Sequence, residues 1–331
     1  MNKKRLKNKI SDVLTANNVI VFAVIGLIAL FIVKSDKYVE TTRQGVAIWA
    51  TTVLPSLLPF FFLTAILTKT ANLSKISKKL NPVSKFLYGA DGISLYVRLM
   101  SLLSGYPVGA KIICDLYKSG IITEKQAEKY CTFTSTSGPL FIVGAVGVGM
   151  YDSKIIGMII LLSHVASSLL TGVIFRKLPD NRPIGTLSIK TDCDNALYES
   201  IYSAVISVLT TGGLIAVFFT FSQIVADLFI LYPLEKFLSL FLGENYSKAV
   251  TSGIIECTKG ALSLSRSGGD KLSVSLCSAL VSFGGISVWC QSFCYLGKCK
   301  VRLYIFALSK LLHSVFAFLL CYLLLSISAI S

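Results

Sequence analysis

The sequence predicts an all-α polytopic membrane protein with an inverted-repeat transporter core, built on two re-entrant hairpins and two interrupted transmembrane helices. Three observations carry this reading. Hydrophobic residues make up 53% of the 331 residues and charged residues only 15%, against ~25% charged in soluble domains. Apolar runs recur along the chain at lengths near the ~20 residues that a helical span needs. Two segments also resemble each other at a separation of 148 residues, Ser104 to Lys111 and Ser252 to Lys259.

The elements follow in order. A basic start (Lys3, Lys4, Arg5, Lys7, Lys9) precedes the apolar run Val19 to Val33. Lys34-Ser35-Asp36-Lys37 follows it with no small-x-small cleavage site, so the run reads as an uncleaved first span. Further spans are expected at 46–68, 131–150, 155–175, 200–231, 272–296 and 303–327. Segments 93–116 and 249–264 are apolar but interrupted, each with a charge inside. They read as hairpins that enter and leave on one face, a backbone tolerated at membrane depth only where protein or a cavity surrounds it. Residues 232–248 read as an interfacial helix with Phe237, Leu240 and Phe241 on its apolar face. The units are then 1–45 (basic cytoplasmic tail and first span), 46–196 (first repeat) and 197–331 (second, inverted repeat).

Lys and Arg placement orients the chain. With the N-terminus inside, twenty of the 32 Lys and Arg fall in cytoplasmic segments and eight outside; Arg98, Lys111, Lys259 and Lys310 lie within apolar segments. The C-terminus is then outside, hairpin 93–116 enters from the cytoplasm and hairpin 249–264 from outside. The net charge of +15 is spread between apolar runs, so it orients the chain and does not indicate nucleic acid. The nine Cys include no C-x-x-C pair. Cys290, Cys294 and Cys299 cluster without a fourth ligand at a fitting spacing, so neither a metal nor another cofactor is expected. Gly105-x3-Gly109-x-Lys111 lacks the end of a P-loop, and Gly144-x2-Gly147-x-Gly149 reads as helix packing. No enzyme is expected.

Both repeats read Ser-Gly-x5-Lys. About thirty residues later Ser135-Thr136-Ser137-Gly138-Pro139 matches Ser282-Phe283-Gly284-Gly285, and the next span of each half holds one of the only two histidines, His164 and His313. Inverted repeats with broken helices place a substrate site near the bilayer midplane. The candidate site residues are therefore Ser104, Gly105, Tyr106, Pro107 and Lys111 of the first hairpin. Thr136, Ser137 and Gly138 join them from the first interruption. The second hairpin adds Gly253, Glu256 and Thr258, and the second interruption Ser282, Gly284, Gly285, Ser287 and Gln291. Lys259, His164 and His313 are candidates for an ion, a proton or a secondary contact. Glu256 and Lys259 could equally form an i,i+3 ion pair that supports the hairpin.

The runs Val53-Leu-Pro-Ser-Leu-Leu-Pro59, Ser104-Gly-Tyr-Pro-Val-Gly-Ala-Lys111, Ser137-Gly-Pro-Leu-Phe-Ile-Val-Gly-Ala-Val-Gly147 and Ser282-Phe-Gly-Gly-Ile-Ser287 resemble sporulation integral membrane proteins of the YlbJ/SpoVV type. That resemblance covers nearly the whole chain. It implies two nucleoside-recognition (Gate) domains in a plan similar to concentrative nucleoside transporters. It implies the outer forespore membrane of an endospore former, and passage of dipicolinic acid from mother cell toward forespore. The family's Glu-x-Thr-x-Gly pattern matches Glu256, Thr258 and Gly260, with Lys259 at an unspecified position. The expected partners are thus a small planar dianion, dipicolinate, and the lipid bilayer, with a homo-oligomer left open. A nucleoside transporter and a non-transporting scaffold of spore maturation are the rival readings.

Overall fold

A computed structural model describes residues 16–70, 73–180 and 195–327. Residues 1–15, the basic start of the expected unit 1–45, lie outside the described residues. The elements are helices: α1 (Ala16–Val33), α2 (Ser35–Ile48), α3 (Leu54–Thr70), α4 (Leu73–Tyr88), α5 (Gly92–Ser104), α6 (Val108–Lys118), α7 (Glu124–Thr134), α8 (Lys154–Ile174), α9 (Ala196–Asp227), α10 (Tyr232–Leu242), α11 (Glu244–Ile255), α12 (Cys257–Ser267), α13 (Lys271–Phe283), α14 (Gly285–Leu296) and α15 (Leu303–Ile327). A π-helical turn, Trp49–Val53, joins α2 to α3, and a π-helical segment, Phe141–Val148, lies between α7 and α8.

Among the described residues, five helical stretches are long and apolar enough to cross a membrane: Ser35–Leu67, Lys154–Lys177, Leu197–Asp227, Lys271–Cys299 and Leu303–Ile327. Two expected spans differ. The first run forms α1, a shorter apolar helix, and 131–150 is split between α7 and the π-helical segment. The outward faces of the long helices are apolar; Leu162, Leu209, Val217, Leu311 and Leu319 are exposed. In water such a surface would drive association, and in lipid it is the natural exterior.

Local sequence sets the breaks. Asp91 starts α5 by accepting from the amides of Ile93 (3.1 Å) and Ser94 (3.4 Å), which satisfies donors that the first turn leaves free. Gly105 ends the helix at φ +81°, a conformation that glycine adopts without steric cost. Pro107 then caps α6, where its missing N–H costs nothing. Thr123 and Gln126 form a reciprocal capping box for α7. In the second half Gly284 (φ +85°) separates α13 from α14.

The second hairpin corrects the sequence reading twice. It begins at Glu244 and not at 249. Its break falls at Glu256, between α11 and α12, and not at Ser252-Gly253. The reason is packing: a Cβ on Gly253 would sit 2.4 Å from Leu280 Cδ1 and 3.2 Å from Gly260 Cα. Gly253 and Gly260 are where the two arms cross closely, so small residues there serve contact between helices. α10 is the expected helix beside this hairpin, and Phe237, Leu240 and Phe241 are exposed on it.

Candidate substrate site

The site forms where four helix breaks meet. Gly105 packs on the first interruption; a Cβ there would lie 2.6 Å from Gly138 N. Gly285 packs on the second hairpin in the same manner, with Cys257 N and Gly253 O each 3.0 Å from its built Cβ. Each hairpin tip thus rests on the broken helix of its own half.

The halves are then joined by polar contacts. Tyr106, at the first tip, reaches the second interruption: its hydroxyl donates to Ser282 O at 3.3 Å. Lys310 Nζ, from α15, donates to Tyr106 Oη at 2.5 Å and to Ser135 O at 3.0 Å, and it also lies 4.7 Å from the Tyr106 ring centre. The Ser137 amide donates to His164 Nε2 at 3.0 Å. That leaves Nδ1 as the protonated nitrogen, 2.8 Å from Ser282 Oγ. His313 Nε2 donates to the His164 carbonyl at 3.1 Å, with ring centroids 4.6 Å apart. The two histidines therefore meet, but behind the interruptions and not at the cavity.

The cavity itself holds about 40 Å³. Gly105, Tyr106, Ser137, Gly138, Glu256, Thr258 and Gln291 line it with Cys257, Phe141, Val288, and Val53, Leu57, Thr211 and Ile215 from α3, α9 and the π turn. The space admits water and is too small for an organic substrate. Glu256 is 1% exposed. Its Oε1 caps α12 by accepting from the Thr258 amide at 2.8 Å. Among the described residues its Oε2 and Gln291 Oε1 have no hydrogen-bond partner of good geometry, with the Ser287 hydroxyl the donor nearest the carboxylate. Two buried acceptors facing one cavity make it a place where a donor can bind.

The other predicted residues fall in three places. Ser104, Thr136, Ser282, Ser287, Gly284 and Pro107 are in the wall: Ser104 is fully buried, Thr136 Oγ1 lies 3.2 Å from Ser101 Oγ, and Ser287 stands beside Glu256. Gly253 is a packing residue. Lys111 and Lys259 are elsewhere. Lys111 bonds Ser203 Oγ. Lys259 turns away from Glu256 to Gln223 Oε1 (3.2 Å) and Phe219 O (3.5 Å), so the i,i+3 ion pair is not formed. Sequence reasoning passes over Lys310, which stands behind the cavity lining and holds Tyr106. The signal was there: it is a lone lysine in the apolar run 303–327, and a charge in a span is a functional hypothesis by default.

The chain is 27% identical over 315 residues to the sporulation integral membrane protein YlbJ of Bacillus subtilis (strain 168), covering 84% of this chain and 75% of that protein. The match supports a YlbJ-type family. No family model matches the chain, and no solved structure does. Similarity to YlbJ supports a membrane role in sporulation, and the apolar helices agree with contact to a lipid bilayer.

Proposed function

We propose that this chain is a transporter that moves dipicolinic acid toward the forespore by alternating access, with Gate-type repeats as its two halves. The observation that carries transport is the convergence of both hairpin tips and both interruptions on one small cavity. Broken helices meeting at mid-depth supply free backbone groups and helix ends for a polar substrate. The anionic class is supported by Lys310, which is 1% exposed and is held by two neutral oxygens. A substrate carboxylate is a better partner for a buried ammonium than a phenol. The N-termini of α6 and α14 have no side-chain cap, and such ends favour anions.

The cavity is far smaller than the ~300–1,000 Å³ of ordinary ligand sites. Entry therefore requires the tips to part, with Tyr106 leaving Lys310. One observation favours the nucleoside reading: Glu256 Oε2 and Gln291 Oε1 ask for donors, which a ribose or base supplies. The test is uptake of labelled dipicolinate by proteoliposomes, with uridine as competitor. Saturable uptake that resists uridine supports the proposal. Uptake of uridine in its place moves the assignment to nucleosides, and uptake of neither leaves a non-transporting scaffold.

A further inference from the structure

The lysines of the repeated Ser-Gly-x5-Lys motif are not at the central cavity, yet they are placed alike. Each lies in the first turn of the second arm of its hairpin, Lys111 in α6 and Lys259 in α12. Each reaches the same helix, α9: Lys111 at Ser203 and Lys259 at Gln223. These contacts are twenty residues apart on a continuous helix, about 30 Å at 1.5 Å per residue. That equals the ~30 Å of a bilayer's hydrocarbon core. Thr211 and Ile215, midway between them on α9, line the central cavity.

Each lysine also lines a cavity of its own. Lys111 shares about 140 Å³ with Thr64, Asp115, Ser203 and Ser207. Lys259 shares about 480 Å³ with Gln223, Lys236, Lys248, Glu235 and Glu244. In the larger one Lys236 pairs with Glu244 at 3.7 Å, while Lys259 contacts neutral oxygens and the Phe219 ring directly, and the carboxylate that acts on it, Asp227, is already paired with Lys37.

We infer that Lys111 and Lys259 are the outer stations of a two-ended anion path along α9, one at each membrane face, where a substrate carboxylate docks before it reaches the central site. The inference rests on the transport reading and deepens it. Lys111 receives the anion on the face of the first hairpin's base, and Lys259 on the opposite face.

The test uses sided proteoliposomes and a parent in which the nine cysteines are replaced. Lys111→Cys and Lys259→Cys are treated with impermeant thiol reagents from either face, and initial dipicolinate uptake is measured. Each variant should react from one face only, and the two from opposite faces. A cationic reagent should restore uptake about fivefold over an anionic one, the upper end of what one exposed ion pair is worth. Lys111→Arg and Lys259→Arg should retain near-parental uptake, which guards against a folding defect in the cysteine variants. Reaction of both from the same face, equal effects of the two reagents, or unmodified variants as active as the parent would overturn the inference. A parent that moves no dipicolinate removes the transport reading itself, and the inference with it.

Discussion

The Lys310 ammonium is held by Tyr106 Oη and Ser135 O, and this makes a prediction about folding and binding at once. Exchanging this buried charge for an apolar side chain of similar length has two opposing effects: it removes a desolvated ammonium, and it leaves the Ser135 carbonyl without this donor, at about 1–3 kcal/mol. Lys310→Met should therefore keep its unliganded melting temperature in detergent within a few degrees. It should lose the rise that dipicolinate gives the parent, since a ligand stabilises only what it binds. A thermal-shift titration checks both, and an unchanged dipicolinate response would remove Lys310 from the site. Glu256 poses the opposite problem. An ionised carboxylate facing the cavity repels a dianion, and protonation removes that repulsion. Uptake by the parent should then rise as pH falls, and Glu256→Gln should flatten that rise while keeping the α12 cap through its amide oxygen. Other titrating groups, Lys310 and the two histidines among them, are common to both proteins and cancel in the comparison. A steep pH dependence retained by Glu256→Gln would leave the carboxyl a capping role alone.

The elements that matter are the broken ones. A break needs residues that end one helix, start another and let a second backbone approach. Gly105 does all three, with φ +81° and room for no Cβ against Gly138. Gly105→Ala should cost about 2 kcal/mol through strain and collision, read as a lower denaturant or thermal midpoint, and it should push the first tip off the first interruption. Gly120, also at positive φ but in open space, is the control: its alanine variant should lose less than half as much. Glu256 breaks the second hairpin without glycine, by turning extended (φ −135°, ψ 107°) and capping α12 with its own side chain. A motif match built on Ser252-Gly253 therefore lands four residues early, at the crossing of the arms and not at the tip.

At the scale of the whole molecule, contacts sort the connecting segments into two groups. Arg302 Nε donates to Glu128 Oε2 at 2.7 Å, and Lys129 Nζ to Gly89 O at 2.8 Å. These segments carry the dense Lys and Arg assigned to the cytoplasm. Tyr151 meets Ser273 at 3.0 Å and Tyr246 meets Asp270 at 2.6 Å, joining segments assigned to the outside. The topology prediction follows: in a cysteine-free background, Lys271→Cys should label from outside and Lys79→Cys only after permeabilisation. The reverse pattern would invert the chain, and labelling of both from one side would dissolve the inverted-repeat plan.

Composition and periodicity determined that the chain is helical and belongs in a bilayer, because apolar excess and run length need no tertiary information. Glycine, proline and hydroxyl clusters located the breaks at 105–107, 135–139 and 284, because helix ends are local chemistry. The placement of side chains was decided by tertiary structure alone. Lys259 and Glu256 lie three residues apart, yet they point to different neighbours, α9 and the cavity. Tyr106 and Lys310 lie 204 residues apart and touch. Direction around a helix and contact between distant spans depend on how the helices pack, and a string of residues does not carry that packing on its face.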